Sequence, residues 1–462
     1  MTASTVDSQR RSAGGDPPPG APAVAVRRGL RVLQVAVACH PETSMETRIG
    51  WRRAVHAARR GHDVTVLHGR PGCQPLLIGE AERLGLSANL RFVPVGRGAI
   101  GELLSRHSLT YYAGYRRWHA DAYRVARQLH AQRPFDLVHQ TTYCGFREPG
   151  DAWRLGVPFV WGPVGGTQNF PTAYLSQLAP GEALFEISRN VVNGIQLRLC
   201  PRVRAATREA AVLVAATRRA ADDLEAAQGR RPPVRLETAI DHPIAPPREP
   251  RAEGEPFRIL WAGRMRAWKT LPLLLRALPL LPASVDWRLS VLGVGSSERG
   301  WRRLADRLGI GDRVEWLGWP AYRQTLPHYA AADALAFTSM RDTSGTGLLE
   351  ALAAGTPIVG VDHQGAADIM TPDCALPIPV GRPSQTVHGF SRALTLLATD
   401  PVLWRRLSRG ALRRAEEYTA TREAEALLRW YDLAVEGRSP ARSSSGPSRP
   451  VATRPRTAAA RA

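Results

Sequence analysis

The chain has 462 residues, 44% hydrophobic and 22% charged, with a formal net charge of +21. That length and balance predict a soluble protein with two or more cored domains and exclude a mostly disordered or fibrous chain. No run approaches the ~18 apolar residues of a spanning helix. The five cysteines form no C-x-x-C pair, so neither a disulfide framework nor a zinc site is expected, and a reducing cytoplasm is.

Residues 1–28 are polar and rich in proline and glycine, without an apolar signal core, and read as a disordered leader. Residues 29–242 form a first domain. In it Leu30–Ala38 reads as a strand, Thr47–Arg60 as a helix closed by Gly61, and Asp63–His68 as the next strand. A long helical region is predicted over Gly101–Arg133, then strands at Phe135–His139, Pro158–Trp161 and Ala211–Ala215. Residues 243–256 carry five prolines and form the predicted linker.

A second domain, 257–417, repeats the alternation. Strands are predicted at Phe257–Ala262, Trp287–Leu292, Arg313–Trp316, Ala334–Phe337 and Pro357–Val361. Helices are predicted at Thr270–Leu281, Arg299–Leu308, Tyr322–Ala332 and Thr346–Ala354. A C-terminal helix at 418–437 is expected to pack back on the first domain, and 438–462 reads as a disordered basic tail. The fold class is α/β: two Rossmann-like domains with parallel sheets, facing each other across a cleft where ligands bind.

Most of the positive charge lies between the two ends, which suits an anionic partner such as a nucleotide, a pyrophosphate lipid or a phospholipid surface. Of the 62 basic residues only Lys269 is a lysine. It follows the strand Phe257–Ala262 and the pair Gly263-Arg264. A glycine at a strand end admits close backbone approach, and two cations beyond it can clamp a diphosphate. Cations at a helix start oppose its dipole unless an anion lies between them.

A second motif, Asp342-Thr-Ser-Gly-Thr-Gly-Leu-Leu-Glu350, follows a strand and opens a helix. Gly345, Thr346 and Gly347 present backbone N–H groups at that helix start. Glu350 can accept hydrogen bonds from a ribose diol, and Asp342 can meet sugar hydroxyls. The competing reading is an N-cap aspartate with an exposed glutamate. Gly293 and Gly295 end a further strand, where a tight turn is as good an explanation as a nucleotide-facing one.

Together these segments resemble the retaining glycosyltransferases of family four, which have the GT-B fold. The resemblance covers Phe257 to Glu417 and rests on Gly263, Arg264, Lys269, Gly293, Gly295, Val314-Glu-Trp-Leu-Gly318 and a D-x7-E motif where the family usually has E-x7-E. It also includes Ala351–Val359 and the pair Gly365 and Asp368. It implies that Arg264 and Lys269 bind the donor diphosphate, Glu350 the ribose and Asp342 the donor sugar. Leu317, Gly345, Thr346, Gly347 and Leu348 complete the implied donor site.

In the first domain, Glu46 and Gly50 lie in the stretch corresponding to the family's loop near diphosphate and acceptor. Gly165 and Gly166 belong to a segment similar to one branch of the family, on the acceptor side. His139 stands where many relatives carry an H-x-H, and is the catalytic candidate from that domain; a structural histidine is the alternative.

The resemblance implies sugar transfer from a nucleotide-sugar donor to a glycan or lipid-linked acceptor in cell-surface polysaccharide or glycoconjugate synthesis, with retention. No cofactor is expected, the nucleotide-sugar being a substrate. No two aspartates are two residues apart, so the D-x-D metal site of the other large glycosyltransferase fold is not expected, nor is a metal. Peripheral contact with an anionic membrane at its inner face is expected, and nucleic acid is not. The alternatives are a GT-B sugar-nucleotide epimerase or phosphorylase, and a basic nucleic-acid-binding protein, for which no recognition motif speaks.

Overall fold

The structure, a computed structural model, describes residues 29–106, 110–143 and 145–437. The expected leader 1–28, the expected tail 438–462 and Cys144 lie outside the described residues. The first sheet comprises β1 (Arg31–Ala36), β2 (Asp63–His68), β3 (Leu90–Pro94), β4 (Leu137–Thr142), β5 (Phe159–Val164) and β6 (Ala210–Ala215), in the order β3-β2-β1-β4-β5-β6. The second comprises β7 (Phe257–Ala262), β8 (Trp287–Leu292), β9 (Val314–Gly318), β10 (Ala334–Phe337), β11 (Ile358–Asp362) and β12 (Ala375–Pro379), in the order β12-β11-β10-β7-β8-β9. Every neighbouring pair is parallel.

The two sheets share one topology. Each begins at its centre, winds outward to one edge, and then returns to build the other side. The strand order therefore reverses between β1 and β4 in one domain and between β7 and β10 in the other, and a crevice opens at such a point beyond the strands' carboxyl ends. The Gly263–Lys269 turn follows β7 and the Asp342–Glu350 motif follows β10, so both lie at the second switch point.

Three predicted elements need correction. The helix expected over Gly101–Arg133 is two, Gly98–Arg106 and Tyr111–Gln132, with 107–109 outside the described residues. The strand expected over Phe135–His139 is β4, which begins at Leu137 and runs to Thr142. The helix expected over Thr270–Leu281 ends at Ala277 and closes in a 3-10 turn, Leu278–Leu280, because Pro279 cannot donate to the helical ladder. The helices Gln74–Arg83, Pro180–Leu199 and Pro383–Thr399 were not anticipated.

The helix Ala420–Glu436 returns to the first domain, where Leu427, Trp430 and Tyr431 are buried with Val32, Val64 and Leu137. One carboxylate anchors it. Glu423 is buried and meets Arg52 at 2.6 Å and Arg53 at 3.0 Å, both on the helix Met45–Arg59. The two guanidinium groups outweigh the cost of burial and hold the Glu423 carboxyl below the usual range. Removing one member of a buried ionic group leaves its partners uncompensated. Glu423→Ala is therefore expected to cost about 3–5 kcal/mol, read as a lowered midpoint in urea unfolding.

Candidate active site

The turn bearing the only lysine is laced to the end of β10. Thr270 Oγ1 donates to Thr338 O at 2.5 Å, Thr338 Oγ1 donates to Lys269 O at 2.5 Å, and Met340 N donates to Trp268 O at 2.9 Å. Thr270 adopts φ +43° to close this turn. The lacing brings Lys269 Nζ onto the Asp342 carboxylate, with the Phe337 ring centroid 5.8 Å away. Both side chains remain partly open to solvent, at 18% and 22%. Lys269 thus pairs with Asp342, a partner the sequence reading did not give it. Arg264 is exposed; its carbonyl accepts from Arg266 N at 2.8 Å, and its guanidinium has no ion-pair partner among the described residues.

The glycines here answer first to packing. A Cβ on Gly293 would lie 2.0 Å from Gly263 O, and one on Gly295 would lie 2.3 Å from Met265 O. The turns after β7 and β8 are pressed backbone to backbone, tied by Gly263 N donating to Leu292 O and Met265 N donating to Val294 O, both at 2.9 Å. Gly345 has φ +53° ahead of the helix Thr346–Ala353. Gly347 leaves room for Tyr329, whose hydroxyl would lie 3.0 Å from a Cβ there. Leu348 is fully buried, so it can offer a ligand nothing but backbone, and Leu317 packs partly buried against the same core.

Glu350 is 7% exposed beside the Tyr329 hydroxyl. Burial pushes its carboxyl up to about 7, and the nearby Asp241 and Glu46 push in the same direction. An exposed glutamate is therefore excluded. This is a desolvated carboxyl close to its ionisation point, ready to accept hydrogen bonds from a ligand. Tyr322 and Tyr329, seven residues apart on one helix, both stand near it. Their spacing on one helical face was the sequence signal for this wall, and it went unused.

The first domain closes the site from the opposite side. Ser344 Oγ donates to Glu237 Oε1 at 3.0 Å, and Thr343 Oγ1 donates to Gln168 Oε1 at 3.3 Å. A Cβ on Gly165 would come 2.5 Å from Thr343 Cγ2, so glycine permits this approach. Gln364, at φ +53°, accepts from Asp342 N at 3.0 Å and donates to Asn169 O at 2.7 Å, bridging the two halves. A cavity of about 200 Å³ remains, lined by Glu46, Thr142, Tyr143, Gly165, Gly166 and Thr343 among others. Sequence reasoning missed Gln364, Glu237, Thr142 and Tyr143, because each gains its place only through contact between distant segments.

Two first-domain candidates are corrected. His139 lies within β4, not at its end, and is fully buried. Its Nδ1 is 3.0 Å from Tyr431 Oη and its Nε2 3.0 Å from Gly162 O, so both ring nitrogens are engaged in the core. Burial, with Arg53 adding to it, pulls its pKa down to about 3. It remains neutral and cannot reach the cleft; its alternative, structural reading holds. Gly50 is buried in the helix Met45–Arg59, where a Cβ would meet Ala38 O at 2.6 Å; it seats that helix on β1 and does not line the cavity.

Residues 246–405 match the family described as glycosyl transferases group 1. Over 151 residues the chain is 30% identical to the lipopolysaccharide core biosynthesis glycosyltransferase LpsE of Rhizobium meliloti, covering 32% of this chain and 42% of that protein. It is 31% identical over 194 residues to the D-inositol 3-phosphate glycosyltransferase of Streptomyces avermitilis, covering 38% and 40%. The chain thus spans less than half the length of these curated relatives. Among solved structures it is similar to Anabaena HepE in complex with UDP and glucose, with TM-score 0.56 and 16% identity over 87% of this chain and 99% of that one. It is also similar to the lipopolysaccharide outer core galactosyltransferase WaaB, with TM-score 0.59 and 14% identity over 89% and 100%. The fold is GT-B.

Proposed function

We propose that this protein is a retaining, family-four-type glycosyltransferase, moving a sugar from a nucleotide-sugar to a glycan or lipid-linked acceptor in lipopolysaccharide or related polysaccharide synthesis. The observation that carries the reading is the convergence at one switch point of Lys269, Asp342 and the desolvated Glu350, inside the segment that matches the group 1 family. Glu350 takes the ribose hydroxyls, and the helix start at Thr346 and Gly347 faces the diphosphate with Lys269 and Arg264. Binding of the diphosphate draws Lys269 from Asp342, which frees that carboxylate for sugar hydroxyls.

The cations stabilise charge that accumulates on the departing diphosphate. The bond from the anomeric carbon to the phosphate oxygen breaks as the acceptor oxygen bonds to that carbon from the same face. The departing phosphate takes the acceptor proton. No side chain is assigned as nucleophile, His139 being enclosed, and no metal or cofactor is assigned a role.

UDP-sugars head the donors to be screened, since HepE was solved with UDP and glucose. Thermal shift over a nucleotide-sugar panel, followed by mass spectrometry of transfer products, tests the reading. Absence of any nucleotide-sugar binding would remove it. Epimerised donor formed without acceptor would favour the epimerase reading instead.

The lipid-linked acceptor is supported by the helix Pro180–Leu199, which is inside out. Its buried face carries Glu186 and Asn193 with Leu197, while Leu184, Ile187, Val191 and Ile195 point outward at 67%, 44%, 56% and 53% exposure. Arg198 near the end of this helix, and Arg204 and Arg208 on the following helix Pro201–Glu209, are exposed. Apolar residues flanked by cations suit the surface of an anionic bilayer, at the membrane's inner face. Ile187→Asp with Val191→Asp is expected to abolish sedimentation with phosphatidylglycerol vesicles while leaving nucleotide affinity unchanged.

A further inference from the structure

A second group of charges lies beside the donor motif and is not used by it. Arg341, immediately before Asp342, meets Glu186 at 3.1 Å, and its guanidinium lies 4.3 Å from the Trp268 ring centroid. Arg189, one turn along from Glu186, donates to Gln168 O at 2.6 Å. Arg147 donates from Nε to Asn193 Oδ1 at 2.9 Å and lies 5.5 Å from the ring centroid of the exposed Tyr112. Burial together with repulsion from Arg341 and Arg147 pulls the Arg189 guanidinium down to about 9. Arg341 is lowered by burial, its Nε is buried without a hydrogen-bond partner, and Glu186 Oε2 is likewise buried and unpartnered.

The charges do not balance. Arg341 pairs with the buried Glu186, and Arg189 and Arg147 stand near enough for their charges to act on the same carboxylate. The next nearest acids are Asp342, already paired with Lys269, and Glu182, which is exposed and solvated. The carbonyl of Gln168 and the amide of Asn193 orient two of the arginines without neutralising them. Desolvated cations of one sign are costly unless an anion completes the group.

The location is specific. Arg147 follows Gly145 by two residues, Arg341 precedes Thr343 by two, and Arg189 is bonded to Gln168, two residues after Gly166. Gly145, Thr343 and Gly166 all line the 200 Å³ cavity between the domains. Contributions come from both domains, on the side of the donor motif that faces the first.

We propose that Arg147, Arg189 and Arg341 seat an anionic group, a phosphate or a carboxylate, carried by the acceptor substrate. This deepens the glycosyl-transfer reading and rests on it for the word acceptor. Guanidinium forks match the geometry of both anions, and phosphate offers the greater charge. Glu186 positions Arg341 and sets the net charge of the seat.

Isothermal titration calorimetry at low salt tests this on the full chain, with a nucleoside diphosphate from the donor screen present at saturation to occupy the donor site. The probes are inorganic phosphate, glycerol 3-phosphate and glucuronate, with glucose as the neutral control. Wild type is expected to bind the anions and not glucose, and the stronger of the phosphate and carboxylate arms identifies the acceptor's charged group. Arg147→Gln and Arg189→Gln are each expected to weaken binding about tenfold, and Glu186→Gln to tighten it about tenfold. The opposite sign of the last variant separates an anion seat from general damage to the fold, which would weaken every variant. No anion binding by wild type, equal affinity across the variants, weakening by Glu186→Gln, or anion binding that appears only when the nucleotide is left out would overturn the proposal. Failure of glycosyl transfer itself would appear separately, as absence of nucleotide binding.

Discussion

Lys269→Arg is expected to keep the charge and lose the reaction. Lysine offers a compact ammonium, whereas the guanidinium is a wide planar fork. The ammonium sits against the Asp342 carboxylate with the Phe337 ring centroid 5.8 Å away, a seat fitted to a compact cation. The turn cannot retreat, because Thr270 and Thr338 tie it to β10. With the donor and acceptor found by screening, kcat/KM should fall at least ~100-fold, about 3 kcal/mol of transition-state stabilisation. A binding readout accompanies it. Wild type should prefer a nucleoside diphosphate to its monophosphate, and the variant should lose most of that preference. Near-normal turnover with the preference intact would return Lys269 to the status of an incidental surface cation.

Glu350→Gln is expected to stabilise the free protein while impairing donor binding. The Glu350 carboxyl is pushed from 4.5 up to about 7 by burial. A raised carboxyl pKa means that the folded state holds the proton more tightly than the unfolded one. Below pH 4.5 both states are protonated and the group costs nothing. Between 4.5 and 7 stability drains away as pH rises, and above 7 the full cost is present. A shift of this size corresponds to roughly 3 kcal/mol as an upper bound. The glutamine variant carries no such penalty, so its melting temperature should exceed wild type at pH 8 and converge with it near pH 4. Nucleotide affinity should fall, because an amide accepts the ribose diol less well than a carboxylate. Parallel stability curves across that pH range would show that Glu350 is not desolvated.

The central strands were legible because parallel strands buried on both faces read as nearly continuous apolar runs: β10 and β11 stand out in this way, and β7 does so but for the exposed Arg258. The second-domain cluster was legible because its residues are close in sequence and chemically unusual: Gly263, Arg264, the lone lysine, and a carboxylate on each side of Gly345 and Gly347. The first domain was harder. His139 looked like a strand end because Gln140, Thr141 and Thr142 are polar, yet β4 continues through them, with Thr142 Oγ1 donating to Ala38 O at 3.2 Å. A polar run inside a sheet is decided by hydrogen bonds to other strands, which the local pattern does not contain. The helix Pro180–Leu199 escaped notice for a related reason: its polar face is turned inward, against the usual rule that links apolar residues to the core.

By itself, then, the sequence determined an α/β chain of two halves and singled out Gly263, Lys269, Asp342 and Glu350 as one cluster, because those features depend on periodicity and short spacing. Tertiary structure alone decided what these groups do to one another. It set Lys269 on Asp342, enclosed Glu350 beside Tyr329, and sealed His139 behind Tyr431. It also gathered Arg147, Arg189 and Arg341 around Glu186 from segments up to 194 positions apart. The physical reason is that burial and charge proximity, which set ionisation and affinity, belong to neighbours in space and leave no trace in the order of the residues.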